Sequence, residues 1–131
     1  MTVTHSTASK DAATNAVVDQ LDGAGSKLVF RITGSSVGAP SAAVATLTFA
    51  TPAFGASSSG TATAGAIASD TNAAGNAGAV AFATLQTSGD VIAIQCSVAA
   101  SASDINMSGG LTVAAADTVS CSALTYAALS G

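Results

Sequence analysis

The sequence predicts a mainly β domain, an antiparallel β-sandwich or jelly roll preceded by a short N-terminal helix and a mobile arm. Three observations carry this. From Lys27 onward, runs of Val, Ile, Thr and Phe alternate with clusters of Gly, Ser, Asn and Asp. About seven such runs recur at roughly 10–15-residue spacing, as in sandwiches. No helical period interrupts them. Residues 1–25 make the arm and helix and residues 26–131 the sandwich, a length suited to one core.

Met1 to Ala8 is polar and aperiodic, which predicts the arm. A helix is expected from Ser9, which can cap it, through Ala12, Ala13, Ala16, Val17 and Leu21, with Gly23 and Gly25 as the stop. Its apolar stripe is weak, so it needs a partner surface. Lys27 to Thr33 alternates strictly: Leu28, Phe30 and Ile32 face one way, Lys27, Val29, Arg31 and Thr33 the other. Val44 to Ala50 is a second strand, ended by Pro52, which cannot donate to a ladder. Thr61 to Ile67 is a third, built of small residues. Ala79 to Leu85 and Val91 to Val98 flank Thr87-Ser88-Gly89-Asp90 and form a hairpin. The return strand groups Ile92, Ile94, Cys96 and Val98 opposite Val91, Ala93, Gln95 and Ser97. Gly110 to Ala114 and Thr118 to Leu129 complete the set, the last with Val119 and Cys121 on one side and Leu124 and Tyr126 on the other. Ala53 to Gly78 is almost wholly Ala, Ser, Thr, Gly and Asn; it reads as loops, a projecting hairpin, or a segment ordered only by a partner.

Composition limits function. Ala, Ser, Thr and Gly supply 79 of 131 residues, and there is no Glu, no Trp, one His and three basic side chains. Groups that move protons or hold metals are scarce, so an enzyme is not expected and no cofactor is assigned. Of the 49% hydrophobic content, Ala is half; Leu, Ile, Val and Phe together number 27. Such a core is thin, and subunit contacts are expected to add to its stability. The formal charge of −4 and pI of about 4.2 disfavour nucleic-acid binding. The apolar stretches are short and interrupted, which argues against a signal peptide and a membrane span.

His5 lies in the arm, far in sequence from any carboxylate cluster. Asp70-Thr71-Asn72 and Asp104-Ile105-Asn106 begin like calcium loops but lack the remaining ligands, and read as turn caps. Asn106-Met107-Ser108 matches a glycosylation sequon without a secretion signal. Gly75-Asn76-Ala77-Gly78 and Gly109-Gly110 lack a phosphate loop's Lys and read as turns. Cys96 and Cys121 read as buried free thiols rather than a bridge. Lys27 and Arg31 share a strand face, where an ion pair with Asp, across strands or between subunits, is expected. Few charged residues or prolines guard the strand edges, so copies or a larger assembly are expected to cover them.

In its order of pieces the chain resembles small Ala/Gly/Thr-rich virion proteins of tailed bacteriophages. The likeness rests on the short helix running into Ser26-Lys27-Leu28-Val29-Phe30-Arg31-Ile32-Thr33-Gly34, then Ala45-Thr46-Leu47-Thr48-Phe49, the hairpin Ala79 to Val98, Asp104-Ile105-Asn106-Met107, and Asp117 to Tyr126. The resemblance implies a non-enzymatic capsid decoration or cement protein, located in the virion after assembly in the host cytoplasm. Its implied partners are the major capsid protein and copies of itself, as a homotrimer, with neither nucleic acid nor membrane. Val17, Val18, Leu21, Lys27 and Arg31 are the expected assembly interface. A tail, neck or head-fibre role is the alternative reading; a carbohydrate-binding module is disfavoured by one Tyr and no Trp.

Overall fold

The structure, a computed structural model, describes residues 3–75, 78–107 and 109–129. Helix α1 spans Thr7–Val18 and tightens into a 3-10 turn, Asp19–Leu21. Ser6, not Ser9, is the cap: its side chain accepts from the Ser9 N–H at 3.2 Å. Thr7 and Ala8, expected in the arm, are therefore helical. Thr14, Val18 and Leu21, spaced four and three apart, are fully buried and supply the stripe that docks the helix. The Ser26 hydroxyl, donating to the Leu21 carbonyl at 2.6 Å, ties the helix end to the first strand.

Strands β1 (Lys27–Ile32), β2 (Ala43–Phe49), β4 (Ile67–Ala68), β5 (Val80–Gln86), β6 (Ile92–Ala99) and β7 (Ile105–Asn106) build a six-stranded sheet in the order β4-β2-β1-β5-β6-β7. All pairs are antiparallel except β6 with β7. The two central strands are among the most apolar runs in the chain. Leu28 and Phe30 on β1 stand level with Leu47 and Ala45 on β2 and with Leu85 and Ala83 on β5. All six are buried, and Val18, Leu21, Val44 and Val80 complete the centre of the core.

The opposite layer is smaller. Strands β3 (Ala62–Thr63) and β8 (Thr125–Tyr126) pair antiparallel, extended by a bridge from Phe54 to Ala64. The expected strand Thr61 to Ile67 thus splits, β3 joining this ribbon and β4 the large sheet. Nor is Ala53 to Gly78 a projection that needs a partner to order it: Ala53, Phe54, Ala62 and Ala73 are buried, and Phe54 lies 5.7 Å from Phe49 between ring centroids. Asn76 and Ala77 of that stretch lie outside the described residues. Residues 70–73 form a ladder with 116–119, in which Asp70 and Val119 exchange both backbone bonds at 3.0 and 2.8 Å.

Gly110 to Ala114 forms no strand, although the Leu111 carbonyl accepts from Val80 N–H at 2.8 Å. Thr118 to Leu129 contributes only β8 and the Val119 bridge. Because that segment bends instead of running straight, Val119, Cys121, Leu124 and Tyr126 all reach one core rather than two faces. The fold is mainly β with a short N-terminal helix.

Candidate functional site

The face of the large sheet turned from the core concentrates the basic charge. Lys27, Val29 and Arg31 alternate there along β1, beside Gln86, Thr84 and Phe82 of β5. Arg31 is only 9% exposed. Its Nε donates to Thr84 Oγ1 at 3.0 Å, one terminal nitrogen to the Ser41 carbonyl at 2.7 Å, and the other to Gln86 Oε1 at 2.9 Å. The Thr84 hydroxyl donates to the same Gln86 oxygen at 2.8 Å, and Gln86 Nε2 passes the chain to Asp90 Oδ1 at 2.9 Å. Lys27 Nζ reaches that oxygen at 2.8 Å. The expected strand-face ion pair is therefore Lys27 with Asp90, within the chain. Arg31 makes none among the described residues. Burial lowers its pKa, with Asp90 pulling the other way.

A groove of about 320 Å³ runs over this network, lined by Lys27, Val29, Arg31, Pro40, Gln86 and Asp90 among others. Ile92 also lines it. Strict alternation would group Ile92 with Ile94, but the register shifts between Leu85 and Gln86 and sets Ile92 opposite Gln86. A bulge re-aims side chains in this way. Ala93, Ile94 and Cys96 remain against the core.

A larger cleft, about 560 Å³, lies between the loops carrying Asp104 and Asp117. Both carboxylates are engaged by backbone: Asp104 accepts from Ser97 N–H at 2.9 Å and Asp117 from Ala114 N–H at 2.9 Å. Asp70 likewise accepts from Asn72 and Thr46 N–H, at 2.9 and 2.8 Å, as a turn cap does. Among the described residues no group of three His, Cys, Asp or Glu could hold a metal ion. Ser108, the last residue of the sequon, lies outside the described residues. Half-buried His5 makes no hydrogen bond to a carboxylate among them.

Cys96 and Cys121 are free thiols, half-buried rather than buried. Burial pushes the Cys96 thiol up to about 11 and raises Cys121 as well, so neither is activated as a nucleophile.

The five expected interface residues come apart. Val18 and Leu21 are buried in the protein's own core, and Arg31 is held by its own sheet. Val18 and Leu21 offer no surface to a neighbour; the helix needed a partner surface, and β3 and the loop at 57–60 of the same chain supply it. Val17 is half-buried, and Lys27 retains 30% side-chain exposure beside Asp90. The sequence predicts β6 as a strand but not that it lies toward the edge of the sheet. From Ile92 to Ser97 it has a ladder partner on one side only, β5, and all six side chains are half-exposed. The uncharged run Val91 to Ser103 was the available signal.

No family model, no curated protein and no solved structure matches this chain. No helix of the described residues is long and apolar enough to cross a membrane.

The acids divide by the sign of their shift. Asp11 is held below the usual 3.8 by the Gly60 N–H and the Ser57 hydroxyl, and Asp90 by Lys27 and Gln86. Desolvation and the neighbouring Asp19 raise Asp22. A lowered carboxylate contributes stability above its unfolded pKa that is lost as pH falls through the folded one; a raised carboxylate carries a penalty at neutral pH that acid relieves. Thermal melts should therefore show a melting temperature rising slightly as pH approaches 3.8 from above, then falling below it. Asp22→Asn is expected to remove the rise and keep the fall.

Proposed function

We propose that the protein is a non-enzymatic structural component of a bacteriophage particle, a decoration protein on the capsid, its partners the major capsid protein and copies of itself as a trimer. The observation that carries the reading is the β6 edge, which between the bulge at Ala93 and the Ser97 N–H held by Asp104 has no ladder partner beyond β5 and carries no charge over Ile94 to Cys96. Unpaired strand edges recruit other strands, and monomeric sheets usually guard them with Lys, proline or a bulge. The rest of the surface chemistry is consistent with this: four Asp carboxylates, at 11, 70, 104 and 117, are spent on backbone N–H groups of the chain itself.

Decoration acts by mass action: many modest interfaces, each favouring the assembled shell, oppose its rupture. Light scattering at micromolar concentration should find a multimer, and Gln95→Lys, which places a charge on the open edge on the face turned from the core, should shift it toward monomer while leaving the circular dichroism spectrum unchanged. Mass spectrometry of purified particles should count on the order of hundreds of copies. A few copies would favour a tail or fibre location; absence from particles would end the proposal.

A further inference from the structure

Arg31 is a buried cation held by neutral groups only. Thr84, Gln86 and the Ser41 carbonyl accept three of its N–H bonds. A guanidinium has five. The remaining two, one on each terminal nitrogen, meet no acceptor among the described residues. The nearest acid, Asp90, already takes Lys27 and Gln86. Two of the three basic residues in a chain of net charge −4 thus line one groove with a single carboxylate, leaving it one positive charge in excess. Val29, Pro40, Ala43 and Ile92 give that groove apolar walls, where a charge interaction is screened less than in water.

We infer that this groove binds a carboxylate, seated on the two remaining N–H groups of Arg31 with Lys27 beside it. A planar two-oxygen acceptor suits the guanidinium fork. One negative charge neutralises the excess, whereas a phosphate dianion would face Asp90. At about 320 Å³ the groove takes an acid of side-chain size. Such a group is either a free small acid or an Asp or Glu side chain on another protein.

Arg31 is the only arginine in the sequence, so its Nε–H gives a single resonance in a nitrogen-15 spectrum. Titration at constant ionic strength with succinate, and separately with a Thr-rich hexapeptide bearing one Asp, should move that resonance saturably, with half-points of ~1–10 mM for so small a ligand. Succinate acting alone identifies a free acid as the source; the peptide acting alone identifies a protein-borne one. Asp90→Asn removes the competing carboxylate and should tighten binding several-fold, while Lys27→Met should weaken it. Arg31→Lys, followed by calorimetry, should weaken it about tenfold because the fork is lost. Asp90→Asn and Lys27→Met alter exposed groups, so the test stands even if Arg31→Lys fails to fold. Equal shifts from phosphate or from the Asn version of the peptide, no saturable shift with either carboxylate, or affinities untouched by these substitutions would each overturn the inference.

Discussion

Phe30→Ala is expected to lower folding stability by about 3–5 kcal/mol, the range for truncating a fully buried aromatic side chain. Phe30 is 2% exposed and sits on the central strand between Ala45 of β2 and Ala83 of β5. Both flanking residues carry a single methyl, so the ring fills space that its neighbours cannot reach. With so few large side chains in the core, little can collapse into the void. Single domains have about 5–15 kcal/mol in total, so the variant should be partly unfolded at 37 °C. Urea melts followed by circular dichroism would measure this; a midpoint within error of the wild type would mean that the core is repacked elsewhere.

Gly75→Ala should have a comparable effect from a different cause. A Cβ built there meets the Ala115 nitrogen at 2.4 Å and the Ala114 carbonyl carbon at 2.5 Å, both rigid backbone. The residue also has φ +70, where an L side chain costs about 1–2 kcal/mol. Overpacking adds ~1–3 kcal/mol. Because the Gly75 N–H donates to the Val44 carbonyl at 3.0 Å, moving it pulls on β2 as well. Amide exchange at 70–73 and 116–119 should accelerate before global unfolding. Gly38→Ala, with nothing within 4 Å of the new methyl, is the control and should leave the melt unchanged.

The parts legible in the sequence are those where pattern and packing agree. Lys27 to Ile32 is strictly alternating and became the centre of the sheet; the Thr87-Ser88-Gly89-Asp90 turn joins β5 to β6 with Asp90 at φ +65. What alternation cannot show is a bulge, which is why it puts Ile92 on the wrong face. For Arg31 the sequence predicts an ion pair with Asp, because no local signal reveals Gln86 and Thr84, more than fifty residues away, as its partners. The middle segment stays open between loops, a projecting hairpin and a partner-ordered segment because Ala carries almost no periodic contrast, yet Ala53, Ala62 and Ala73 are buried. Phe54 and Ile67 are the two large apolar residues there.

Thr14 makes the closing point. Its hydroxyl donates to the Gly60 carbonyl at 2.7 Å and accepts from the Ala128 N–H at 3.1 Å, so helix, middle loop and final segment meet at one atom. During synthesis the nascent polypeptide cannot settle around this knot while residue 128 is still inside the ribosomal tunnel. The second of the two hydrogen bonds at this atom therefore waits for that segment to emerge.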